Sequence, residues 1–268
     1  MEFTQEKLRG YNRQMMREGW GQETQEKVKR STVFIAGAGG LGLPVSIYLA
    51  VAGVGNIRIC DFDSSDRSNL NRQILNNHNK IGTNKAVSAR QTLIELNPHI
   101  HIEVLTDKIV AENVDELVGN ADLILDCMDN FSTRYLLNES AIRKNISIVH
   151  GSIWGLDARL TFVKSPETLC LRCYFPESPP KEVFPVLGAT PGVIGTLQAR
   201  EALKYLSGIG KPLKGKLLVW SGNDMCFKTF RGFRIPTVRP AVRNNLCRCT
   251  ENASSPAPCP GLLRKIIC

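Results

Sequence analysis

At 268 residues, with 43% hydrophobic and 22% charged side chains, the chain has the make-up of a folded globular protein. No apolar run approaches the ~20 residues that span a bilayer, and polar residues 1–9 are unlike a signal peptide. A cytoplasmic protein without a membrane partner is therefore expected. The net charge of +9 comes from residues 200–268, which hold thirteen Lys or Arg against three Asp or Glu. Such an excess is a solvated basic surface or a dock for an acidic protein or RNA.

Taken in order, residues 8–28 read as one helix with Tyr11, Met15 and Met16 on its apolar face. Residues 32–36 read as a strand, followed by Gly37-Ala38-Gly39-Gly40-Leu41-Gly42 and a helix to about Ala52. Residues 57–60 form a second strand ending on Asp61. Gly37, Gly39 and Gly42 thus fit G-x-G-x-x-G between a strand and a helix, the context that gives the motif meaning. The first glycine permits the tight turn, the second admits a phosphate to the backbone, and the third lets helix pack on strand. Pro44 falls in the first helical turn, where its missing N–H costs nothing, and the free N–H groups there favour an anion. Asp61 stands where a carboxylate meets ribose hydroxyls.

A dehydrogenase would account for that much. It has no need for the Asn, Arg and Lys that follow in Ser68-Asn69-Leu70-Asn71-Arg72-Gln73 and Gly82-Thr83-Asn84-Lys85; a site that handles a triphosphate does. After a polar loop at 76–80, residues 83–96 read as a helix with Ala86, Ala89, Leu93 and Leu96 as its buried stripe. Lys85 lies off that stripe. A lysine at a helix start is electrostatically disfavoured, so it reads as a solvent lysine or as one that meets an anion.

Asn97-Pro98 stops this helix. Residues 100–105 read as a strand, 110–118 as a helix, and 121–126 as a buried parallel strand. That strand delivers Asp126 and Asp129 to the carboxyl edge of the sheet, where open α/β sheets bind ligands; one of the two can instead cap a helix starting near Thr133. A strand over 146–150 closes the doubly wound half. Residues 159–164, 216–220 and 226–230 then read as antiparallel strands, with a Pro-rich segment (175–191) and a helix (192–206) between the first two. The expected fold class is α/β: a doubly wound, mostly parallel, Rossmann-like sheet extended along one edge by antiparallel strands. Residues 252–260 are rich in Ser, Pro and Ala, and 250–268 is expected to be a disordered tail.

Nine cysteines read as metal ligands and buried thiols, not a disulfide framework. Cys170 and Cys173 form C-x-x-C and Cys247 and Cys249 form C-x-C; four thiolates in two pairs fit tetrahedral zinc. C-x-C is tighter than the usual zinc turn, so Cys259 is an alternative to Cys247 or Cys249. Unrelated buried thiols or a redox C-x-x-C are the other readings. Cys60 and Cys127 end strands and are read as core. His78, His99 and His101 lack ligand spacing with the cysteines and are read as structural or exposed.

The ordered set Tyr11-Asn12-Arg13-Gln14, Gly37 to Gly42, Asp61-Phe62-Asp63, Ser68 to Gln73, Lys85 and Asp126-Cys127-Met128-Asp129-Asn130 resembles the MoeB/ThiF/HesA family, prokaryotic relatives of ubiquitin-activating enzymes. The resemblance runs from about residue 8 to 249. It implies ATP-dependent adenylation of the C-terminal glycine carboxylate of a small ubiquitin-like sulfur carrier ending in Gly-Gly, with release of pyrophosphate. It implies that Gly37, Gly39, Gly40, Gly42, Asp61, Asp63, Asn69, Arg72, Gln73, Lys85 and Asp129 hold the nucleotide. Among them Arg72, Lys85 and Asp129, with Arg13, do the chemistry. Asp129 carries Mg2+, Asp126 serves as a cap or a support behind it, and Arg13 reaches the phosphates of a partner subunit, which requires a homodimer. Cys170, Cys173, Cys247 and Cys249 bind Zn2+, although the family's second pair is C-x-x-C.

On this reading residues 1–249 form one adenylyltransferase domain: N-terminal helices (8–30), a nucleotide-binding half (31–150), and an antiparallel half (151–249) that docks the carrier and binds zinc. Relatives that pass sulfur covalently carry a cysteine in the loop matching 180–185; Pro180-Lys181-Glu182-Val183-Phe184-Pro185 has none, so adenylation alone is expected. A tRNA-modifying dehydratase of the same superfamily suits the basic C-terminal part but lacks the zinc cysteines, and nucleic acid is not expected as a partner. A non-catalytic carrier-binding subunit is expected to have lost Arg13, Lys85 or Asp129, and all are present.

Overall fold

A computed structural model of the chain describes residues 5–178 and 185–231. Eight strands form one sheet: β1 (Thr32–Ala36), β2 (Asn56–Cys60), β3 (His101–Leu105), β4 (Leu123–Asp126), β5 (Ser147–Trp154), β6 (Asp157–Val163), β7 (Lys216–Ser221) and β8 (Cys226–Arg231). Their order is β3-β2-β1-β4-β5-β6-β7-β8. The first five pair in parallel and the last three join antiparallel. The mixed, mostly parallel sheet with antiparallel strands at one edge is therefore the expected one.

The helices are α1 (Gln5–Met15), α2 (Gly21–Arg30), α3 (Gly42–Val51), α4 (Lys85–Leu96), α5 (Val114–Val118), α6 (Phe131–Lys144), α7 (Leu171–Tyr174) and α8 (Ala189–Ser207). Alternation along the central strands sorts their side chains into two cores. Val33, Ile35, Leu123 and Leu125 pack with Leu49 of α3, Leu93 of α4 and Ala202 of α8. Phe34, Ala36, Ile124 and Ile148 pack on the other face with Leu117 of α5 and Leu137 of α6. Both faces are covered, which is why β1 and β4 read as continuous apolar runs.

Several local expectations change. The N-terminal helix is two helices, because Trp20 turns inward between Gly19 and Gly21, both with positive φ; its indole Nε1 donates to the buried Gln25 Oε1 at 2.9 Å. Leu96 leaves the α4 stripe and is 48% exposed. Helix α5 is short because the Asn113 carboxamide accepts from the Val110 N–H at 2.9 Å and holds the preceding residues in a turn. Strand β5 runs four residues past His150, kept extended by its hairpin with β6. The α6 cap is Asn130, whose Oδ1 accepts from the Thr133 N–H at 2.9 Å, so neither Asp126 nor Asp129 caps that helix.

Helix α8 ties the two parts of the sheet together. Its Gln198 is fully buried and donates from Nε2 to the carbonyls of Asp126 (2.9 Å) and Val149 (3.2 Å), at the ends of β4 and beside it on β5. An apolar side chain there would remove both hydrogen bonds, at about 0.5–1.5 kcal/mol each.

Candidate active site

Strand β1 lies between β2 and β4, so the chains leaving the carboxyl ends of β1 and β4 diverge and open a crevice at the switch point. A cavity of about 740 Å³ occupies it. Gly37, Gly39, Gly40, Asp61, Asp63, Asn69, Arg72, Gln73, Lys85 and Asp129 all line this cavity. Gly42 and Arg13 do not.

The glycine turn follows from backbone geometry. Gly37 has φ +95°, and a Cβ on it would come within 2.9 Å of the Cys127 carbonyl oxygen. A Cβ on Gly42 would run into the Gly37 carbonyl, so only glycine lets α3 start this close to the end of β1. The Ala38 N–H donates to Asp61 Oδ2 at 2.8 Å and the Asp63 N–H to Oδ1 at 2.9 Å. Asp61 is thereby fixed at the cavity floor; burial pushes its carboxyl above the usual range, while Lys85 and these two N–H groups pull it back.

Arg72 and Asn69 leave a 3-10 turn (Arg67–Asn69) that Asp66 caps from its side chain. Asn69 Oδ1 accepts from the Asp66 N–H at 3.3 Å, and Arg72 Nη1 donates to the Ser68 carbonyl (3.1 Å) and Asn71 Oδ1 (2.9 Å). Gln73 is buried: its Oε1 accepts from Asn76 Nδ2 at 2.9 Å, and Asn76 Oδ1 from the Ser88 hydroxyl at 2.6 Å. It braces the loop on α4. Lys85 is also buried, and its Nζ pairs with Asp63 Oδ2 at 3.0 Å, which rules out a free solvent lysine.

Asp129 is exposed to the cavity, where among the described residues its Oδ1 accepts only from the neighbouring Asn130 Nδ2 at 3.2 Å. Asp126 instead points into the protein. Its Oδ2 meets His150 Nδ1 at 2.6 Å, its Oδ1 accepts from the Met128 N–H at 3.1 Å, and Arg134 Nε lies 3.9 Å away. Burial depresses the His150 pKa against the pull of Asp126, so the ring is neutral and its Nδ1–H donates. Sequence reasoning missed His150 and Arg134. The first becomes visible only from the register that sets Asp126 beside His150; the second is a cation at a helix start, the same signal that singled out Lys85.

Two thiols line the cavity, Cys60 and Cys127. Burial raises the Cys60 thiol to about 12 and the Cys127 thiol well above the ordinary value, so neither is a thiolate nucleophile at neutral pH. Arg13 is exposed on α1.

The metal chemistry divides in the same way. A hard cation such as magnesium suits the exposed Asp129 oxygens, which would share it with substrate phosphates. Beside the middle of α6, Cys170 Sγ and Cys173 Sγ stand 3.5 Å apart at the start of α7, close to the ~3.8 Å edge of a tetrahedron with Zn–S near 2.3 Å. Among the described residues no further group completes a cluster of three. Cys247, Cys249, Cys259, the tail 250–268 and residues 180–184 lie outside the described residues.

The model of the ThiF family matches residues 11–244. A sulfur carrier protein adenylyltransferase from Thermus thermophilus is 40% identical over 248 residues, covering 88% of this chain and 91% of that protein. The adenylyltransferase and sulfurtransferase MOCS3 of Drosophila persimilis is 39% identical over 244 residues; these make up 89% of this chain but 53% of the fly protein, about half its length. Among solved structures, Escherichia coli MccB aligns with a TM-score of 0.77 at 21% identity, over 92% of this chain and 74% of that one. PaaA aligns with a TM-score of 0.76 at 22% identity, over 86% and 84%. At such identities these two share the fold.

Proposed function

Starting from the premise that the chain belongs to the ThiF family, we propose that it is an ATP-dependent adenylyltransferase acting on a small sulfur-carrier protein. The acceptor is the carrier's C-terminal glycine carboxylate. A carboxylate is a poor electrophile because its leaving group would be oxide. One carboxylate oxygen attacks the α-phosphorus of ATP, the bond to the bridging oxygen breaks, and pyrophosphate leaves with that electron pair. The product is an acyl-adenylate. Little covalent chemistry falls to the protein, whose task is to position the groups and to stabilise spreading negative charge.

The observation that carries this reading is the convergence of Asp61, Arg72, Lys85 and Asp129 on one cavity beside the glycine turn. Asp61 holds the ribose hydroxyls, and the N–H groups of Gly39 and Gly40 meet phosphate oxygens. Asn69 hydrogen-bonds beside them, Gln73 supports the loop, and Arg72 and Lys85 offset the charge, Lys85 on exchanging part of its pairing with Asp63 for phosphate. Asp129 would hold magnesium, which would supply further charge neutralisation. Arg13 of a second copy completes the site in a homodimer. Neither Cys60 nor Cys127 is poised to attack, in keeping with a reaction that ends at the adenylate.

Exchange of labelled pyrophosphate into ATP tests the proposal. Exchange should require a carrier whose terminal carboxylate is free. Exchange without carrier, or equal exchange with a carrier lengthened by one residue, would overturn it.

The C-x-x-C of α7 binds zinc on this reading, with Cys247 and Cys249 or Cys259 closing the tetrahedron. Leu171 N–H donates to Asn138 Oδ1 of α6 at 2.8 Å, and Arg172 Nη2 pairs with Glu139 Oε1 at 2.9 Å, so the metal would secure an edge of the fold and not act on ATP. Protein purified without added zinc should contain one zinc per chain; a metal-free, fully folded protein would refute this.

A further inference from the structure

Arg134 is placed against two electrostatic penalties. It is the fourth residue of α6, close to the positive end of the helix dipole, and its side chain is 7% exposed, where a charge loses its hydration. A cation in that position needs specific partners. Arg134 Nη2 donates to the Met128 carbonyl at 2.6 Å, the guanidinium lies 4.8 Å from the centre of the Phe131 ring, and Asp126 is its counter-ion. Among the described residues Nε has no hydrogen-bond partner.

These contacts enclose one short turn. The Met128 N–H donates to Asp126 Oδ1 and the Met128 carbonyl accepts from Arg134. Both polar backbone groups of Met128 are thus held by a pair of opposite charges. The next residue is Asp129. Among the described residues its carboxylate has a single hydrogen bond, to the half-buried neighbour Asn130, so its direction is set by the backbone it hangs from. Charge follows the same plan: Asp126 and Arg134 pair behind the turn, and Asp129 faces the cavity within the field of the same guanidinium.

We propose that Arg134 is a positioning residue that fixes the turn 127–129 and thereby aims the Asp129 carboxylate at the metal-binding corner of the cavity. The inference rests on the reading of Asp129 as the magnesium ligand. Arg134 also lines the cavity, but its guanidinium is committed to Met128, Phe131 and Asp126, so it acts through Met128 and Asp129.

The test is calorimetric titration of ATP into the full chain across a range of magnesium concentrations. Wild type, Arg134→Lys, Phe131→Leu and Asp129→Ala are compared, with thermal melts to establish that each is folded. Arg134→Lys keeps the charge but loses the fork that reaches Met128. It should raise the magnesium concentration at half-maximal enhancement of ATP binding by about tenfold or more, with magnesium-free ATP affinity unchanged within about twofold. Phe131→Leu, which removes the ring beneath the guanidinium, should shift the same midpoint in the same direction, and it keeps the question open to test if Arg134→Lys does not fold. Equal loss of ATP affinity with and without magnesium would place Arg134 on the nucleotide and overturn the proposal. A lower melting temperature with an unchanged magnesium midpoint would make the residue purely structural, and so would overturn it as well. Asp129→Ala separates the two levels: if it leaves the magnesium enhancement intact, the reading of Asp129 fails and the inference falls with it.

Discussion

Asp129→Ala is expected to abolish pyrophosphate exchange while leaving carrier binding within about tenfold, or 1.4 kcal/mol. The side chain is exposed to the cavity and makes one bond to its neighbour, so its removal strands no buried partner and should leave the fold intact. As the proposed magnesium ligand it would contribute oxygens where charge builds on the phosphates, an effect expressed in the reaction and not in docking. The carrier's body should instead rest on the antiparallel edge, where Met225 and Phe227 are exposed beside the basic residues of β8, with its tail leading toward Gly39. Reversal of charge at Arg231 therefore has the opposite signature: weaker, salt-sensitive carrier binding at unchanged ATP affinity. Isothermal titration of carrier and the exchange assay separate the two. Near-normal exchange by Asp129→Ala would remove it from the chemistry.

A mixture of two inactive proteins should regain activity. Arg13 is exposed on α1 and absent from the cavity of its own chain, whereas Lys85 lies inside it. If a second copy supplies Arg13, then Arg13→Ala and Lys85→Ala each spoil both sites of a homodimer. In a hybrid, one site collects both substitutions and the other keeps both native residues. Activity should return to about half of wild type per hybrid dimer, as two-fold symmetry requires. Exchange of labelled subunits, followed by the pyrophosphate assay, measures this. Confirmed hybrids without activity would exclude a role for Arg13 in the neighbouring site.

The residues that sequence alone placed best are those whose role is local. The glycine turn, Asp61 and the strand–helix alternation follow from spacing, from backbone sterics and from periodicity, all legible over a few residues. Sequence alone points to the two nearby aspartates as caps, yet Asn130, three residues before the Thr133 N–H, has the geometry. Leu96 fits the apolar stripe by spacing, but the last turn of α4 carries it out into solvent. Pairings across the sheet were not legible: Asp126 with His150, and Gln198 with the ends of β4 and β5, need register and topology. Lys85 marks the boundary. Its unfavourable position could be read from the helix start, but its burial and its pairing with Asp63 could not, because the partner lies 22 residues away on another segment.

Strand β5 belongs to both kinds of pairing. Residues 147–150 pair in parallel with β4, and 148–154 pair antiparallel with β6; three residues are therefore shared. A chain divided at the turn after Trp154 would yield one fragment ending in an unpaired hairpin arm and another beginning with one, each exposing backbone groups that only the other can satisfy. The nucleotide half and the antiparallel half are consequently not exchangeable modules joined by a linker. Substitutions that shift β6 or β7 move the strand that frames the cavity through Ile153, and inheritance of one half would have constrained the other from the start. A sheet built on a shared strand has no seam along which to come apart.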